Sequence, residues 1–71
     1  MVNEERVKLK TLLTYWIEHN KEHAEEFREW AEKAKAFGEA EICDEISQAA
    51  DDLDRANGPL HQALGRLEKG G

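Results

Sequence analysis

Apolar residues recur along this chain at alternating steps of four and three, first up to Phe37 and again after Gly38. The first row runs Leu9, Leu13, Trp16, Asn20, His23, Phe27, Trp30, Ala34 and Phe37. The second runs Ile42, Ile46, Ala49, Leu53, Ala56, Leu60, Ala63 and Leu67. Such spacing marks the a and d positions of helices that pack side by side. Ile17, Ala24 and Ala31 widen the first stripe on one flank, and Cys43, Ala50 and Leu64 widen the second. A stripe of three positions in seven suits a helix bundle better than a two-stranded coiled coil. The pattern therefore predicts an all-α fold: a single domain over residues 1–71, built as a long antiparallel helical hairpin. Its helices are expected over about 3–37 and about 39–68, with the turn at Gly38.

Local signals agree with these bounds. Asn3 followed by Glu4 and Glu5 reads as an N-cap with acids in the first turn. No Gly or Pro interrupts the first segment, and Gly38 suits a helix C-cap. The stretch "ANGPLHQ" is the exception, because proline lacks a backbone N–H and crowds the preceding turn. Either the second helix stops near Asn57 and a third begins at Pro59, or one helix continues with a kink. The heptad phase survives the break (Leu53, Ala56, Leu60, Ala63), which favours the kinked continuous helix.

A two-helix hairpin cannot bury so wide a stripe by itself. The expectation is a homodimer in which two hairpins form an antiparallel four-helix bundle with two-fold symmetry. The short length points the same way, since a single core of 71 residues supplies little net stability without staples or partners.

The centre of the first helix breaks the apolar pattern. Asn20 and His23 occupy core positions, and folding at Gly38 brings them toward Ala56, Asn57 and Leu60. One reading is a buried polar layer of Asn20, His23 and Asn57 that fixes register and oligomeric state. The other is a metal site. His19 and His23 are four apart, hence on one helix face, and Glu26 continues that face with Glu22 at its edge. Imidazole with adjacent carboxylate suits nickel, zinc, copper or iron. Two ligands make a weak site, and the same pair from a second chain would strengthen it. The Glu-x-x-His pattern of di-iron bundles is absent because position 20 is Asn, and His19 is followed by Asn where a zinc protease motif needs Glu. His61 falls on an outward position and reads as solvated. Trp16, Phe27, Trp30 and Phe37 read as packing residues, and Tyr15 as a possible cover for an interface.

Composition narrows the partners. The formal charge of −6, with no basic cluster, disfavours nucleic acid and anionic membrane surfaces. Cys43 is the only cysteine, so a disulfide scaffold is excluded and a cytoplasmic location is expected. No catalytic constellation and no glycine-rich phosphate loop is visible, so the chain is read as a non-enzyme.

The stretches "LLTYWIEHNKEHAEEFREWAEKA" and "AADDLDRANGPLHQAL" resemble a small prokaryotic helical-hairpin domain of unknown function. The resemblance rests on Trp16, His19, Asn20, His23, Trp30 and Asn57. It implies a helical hairpin, and relatives appended to CooT-type nickel-binding proteins would bring nickel forward among the metals. No CooT-like β domain is present, so that activity does not carry over, and Gly58-Pro59 departs from the family's uninterrupted second helix. The leading expectation is a non-enzymatic binding or accessory module holding a transition metal at a dimer interface. The alternative is a purely structural oligomerisation or protein-interaction module.

Overall fold

The structure is a computed structural model that describes residues 3–70; the capping role expected of Asn3 rests on a side chain outside the described ones. Two helices, α1 (Asn3–Ala36) and α2 (Ala40–Lys69), pack antiparallel along their whole length. The described residues contain no strand. The Cα extents are 56 × 15 × 11 Å, so the molecule is a flat rod.

The turn follows from Gly38. Its φ of +94° lies where a side chain would be strained, and glycine reaches it freely. Two backbone bonds close the end of α1: Gly38 N–H donates to the Lys35 carbonyl at 3.1 Å, and Glu39 N–H to the Ala34 carbonyl at 2.9 Å. Carbonyls that would otherwise be orphaned at the helix end are thereby satisfied. Charges at the helix ends follow the helix dipole, with Glu4 and Glu5 opening α1 and Lys33 and Lys35 closing it.

Helix α2 runs unbroken through Pro59, so the alternative of a third helix is set aside. Its end lies one residue beyond expectation, at Lys69. Two circumstances make the proline tolerable. Pro59 is exposed, so water can reach the Arg55 carbonyl that loses its i+4 donor. Gly58 precedes it, and without a Cβ it avoids part of the crowding that proline imposes on its neighbour.

The seam between the helices differs from the a/d reading by a rotation. The buried hydrophobic residues are Leu13, Ala24, Ala31, Ala34 and Ala50. Half-buried Ile17, Asn20, His23 and Phe27 add to the α1 side, and Cys43, Ile46, Ala49, Leu53, Asn57, Leu60, Leu64 and Leu67 to the α2 side. Residues expected on the flanks (Ile17, Ala24, Ala31, Cys43, Ala50, Leu64) thus sit inside the hairpin. Leu9, Trp16, Trp30, Phe37 and Ile42, expected in the core, are exposed. The physical reason is size. Alanines let two backbones approach closely, whereas a seam of tryptophans would hold them apart. Tight packing and an internal hydrogen bond therefore turn the alanine flank inward and leave the aromatic row outside.

The two broad sides of the rod differ sharply. One carries polar ties: Arg28 Nη2 lies 2.9 Å from an Asp51 oxygen and 2.7 Å from an Asp54 oxygen. The hydrogen bonds that Arg28 donates to Asp54 and then to Asp51 raise its pKa, against a smaller opposing effect of desolvation. On this side Thr14, Lys21, Asp54 and His61 line a polar hollow around Ile17 and Leu64, and His61 is exposed as expected. The other side is apolar.

Candidate functional site

On the apolar side α1 presents Leu9, Trp16, His23 and Trp30, and Phe37 follows just beyond its end, each seven residues from the next. α2 presents Ile42, Ala49, Ala56 and Ala63 at the same spacing. Both rows lie next to the seam, so they form one continuous face across two helices. Trp16, Trp30 and Phe37 are 40%, 53% and 68% exposed. Between the rows, Phe27, Trp30, Ile46 and Ala49 line a shallow groove of about 470 Å³, rimmed by Glu26 and Glu45. Lys33 lies 4.2 Å above the Trp30 ring, a cation–π contact at the edge of the face.

The α1 row has an internal symmetry. Read from His23 outward, each direction gives a tryptophan and then a large apolar residue. The α2 row has its midpoint between Ala49 and Ala56, near Leu53. The pairing of Asn20 with Asn57 sets the register of the hairpin and brings His23 level with Leu53 and Asp54. The two rows therefore share one centre.

At that centre four rings stack along α1 at i, i+4 spacing. Tyr15 lies parallel to His19 with centroids 5.1 Å apart, and His19 meets His23 edge-on at 4.3 Å. Phe27 follows at 6.1 Å from His23. The Nε2 atoms of His19 and His23 are 2.9 Å apart, aimed at one another. Glu26 Oε1 is 3.7 Å from His23 Nδ1, on the far side of that ring from the Nε2 pair. Glu22, Glu25 and Glu29 join them around a polar hollow on the outer edge of α1. Among the described residues, no group of three or more His, Cys, Asp or Glu is gathered as a metal cage. What one chain offers is two imidazoles hydrogen-bonded to one another, with a carboxylate beside the second.

Asn20 and Asn57 meet inside the hairpin. Asn20 Nδ2 donates to Asn57 Oδ1 at 3.1 Å, and Asn57 Nδ2 donates to the Ile17 carbonyl at 3.1 Å. His23, expected in this layer, stands outside it, turned toward His19 and Glu26. The polar layer is thus a pair of asparagines plus one backbone carbonyl. Its bond to Ile17 has no sequence signal.

Cys43 is a free, half-buried thiol in the seam and acts as a small filler. No helix is long and apolar enough to cross a membrane among the described residues.

Residues 9–67 match the family DUF8180, described as a domain of unknown function. That description includes no link to CooT-type proteins. No curated protein and no solved structure matches the chain.

Proposed function

The chain belongs to the DUF8180 family, and from its geometry we propose that it is a non-enzymatic helical module whose work is self-association. Two hairpins pair through their apolar sides into a four-helix bundle. The observation that carries this reading is the continuous face of Leu9, Trp16, Trp30, Phe37 and Ile42 left outside the hairpin. Its area supports a stable pair. A side of 56 × 15 Å offers about 800 Å² per copy, the size of a standard specific interface. The shared centre of the two rows supports a second copy as the occupant. A two-fold axis through His23 that reverses the copies sets Trp16 against Trp30 and Leu9 against Phe37. The hairpin's own core supports it too, since among the described residues four of the five buried ones are alanines.

Sedimentation equilibrium at micromolar concentration tests the proposal, with an expected mass of twice the 8.1 kDa chain. Trp30→Glu, which puts a charge in the face and leaves the seam untouched, is expected to give a monomer. A wild-type monomer that melts cooperatively would refute self-association and give the face to a helix of another protein.

The histidine pair supports a second element of the reading, retention of a transition metal. The two Nε2 atoms, 2.9 Å apart in a hydrogen bond, need to open only to about 3.3–3.4 Å to hold one tetrahedral ion at about 2.0–2.1 Å from each nitrogen. Nickel, zinc, copper and iron all accept such imidazole ligands. A metal-dependent rise in melting temperature, lost in His19→Ala, is the expected signature.

A further inference from the structure

We infer that the metal site is completed in trans: His19 and His23 of one copy bind a divalent transition-metal ion together with Glu26 of the second copy. This inference rests on the self-association proposed above.

Within one chain Glu26 cannot close the site as it stands. Its carboxylate lies behind the His23 ring, 3.7 Å from Nδ1, while the coordinating Nε2 atoms face His19. No third ligand from the same chain is gathered there among the described residues. His19 and Glu26 are seven residues apart, hence on the same edge of α1. That edge adjoins the apolar row on the side away from α2.

When two α1 helices lie reversed about an axis through His23, paired positions sum to 46. His19 then stands level with position 27 of the second copy, so Glu26 is offset by one residue, or about 1.5 Å along the helix. Because both copies turn the same edge outward, His19 and Glu26 of the second copy meet along one margin of the interface. The symmetry makes two such sites per dimer, one per chain. Two imidazoles and one carboxylate leave positions open to water, a ligand set suited to zinc or to iron(II). The acidic hollow of Glu22, Glu25 and Glu29 favours a cation there.

Complementation between variants tests this. The untagged chain is titrated with zinc chloride by calorimetry, and cobalt(II) absorption reports the ligand set. Sedimentation with a chelator present fixes the oligomeric state independently. The wild type is expected to bind one zinc per chain as a dimer. The His19→Ala/His23→Ala protein should bind no zinc at this site, and Glu26→Gln should bind at least about tenfold more weakly. Mixed and refolded together, the two variants should recover wild-type affinity at up to one site per mixed dimer, because the intact histidines then face an intact Glu26. A mixture that recovers nothing overturns the trans carboxylate. One zinc shared between two chains overturns it in favour of a site on the axis. A chelator-stable dimer that binds no zinc overturns the metal site and leaves self-association standing. A monomer with and without zinc overturns both.

Discussion

Asn57 spends its whole side-chain amide inside the hairpin, accepting from Asn20 and donating to the Ile17 carbonyl. Truncating it to leucine strands the Asn20 amide in a half-buried position, and the expected cost is about 1–3 kcal/mol. Denaturant melts of Asn57→Leu check this. Replacing both asparagines by leucine removes the stranded group and is expected to recover most of that loss. The recovered protein should lose its single register, read as broadened amide spectra. Asn20 and Asn57 were legible in the sequence as a polar pair in an apolar stripe, because each interrupts a regular repeat. The place of His23 was not. Heptad spacing gives the angle of a residue on its own helix, but not which half of a wide stripe the neighbouring helix will cover. Ala24, Ala31 and Ala50 held that information, since only small residues permit the closest approach.

Helix α2 carries its two weakest helix formers side by side at Gly58 and Pro59, and it remains helical through both. The retained heptad phase across "ANGPLHQ" foretold this continuity. Pro59→Ala restores a donor to the Arg55 carbonyl and is expected to stabilise the fold by up to about 3 kcal/mol. Gly58→Ala is expected to gain well under the about 1 kcal/mol of an ordinary helix-interior exchange, because its Cβ, clear of every residue beyond its chain neighbours, would crowd the Pro59 ring. Gly38→Ala should act in the opposite sense. No atom crowds its Cβ, but the φ of +94° is strained for alanine, and a loss of about 1–2 kcal/mol is expected. Thermal melts of the three variants, compared with wild type, distinguish a backbone effect from a packing effect. Gly38 is set apart by its backbone angle, and Gly58 by the proline that follows it.

The composition of the hairpin seam makes the isolated molecule thin: among the described residues, the buried apolar ones are one leucine and four alanines. Burial of Trp16 and Trp30 in a dimer would move their emission to shorter wavelength. Dilution is expected to reverse that shift together with a fall in melting temperature, since dimer stability depends on concentration. Metal should oppose the dilution effect, and acid should remove the metal's contribution, because imidazole ligands must be unprotonated. Width of the stripe made an apolar face left outside the hairpin legible from sequence. Which rows face outward was not, and the aromatic row that would meet the partner emerged only with the seam in place.

Both ends of the hairpin lie together. Arg6 Nη2 donates to the Leu67 carbonyl at 3.2 Å, and Lys10 Nζ lies 3.8 Å from Glu68. A reversed pair therefore sends the termini of its two copies to opposite tips of the rod. Any domain joined to this chain would be held from its counterpart by roughly the 56 Å length of the hairpin. Such a pair would act as a ruler, with the length of the hairpin setting the spacing of whatever its two copies carry.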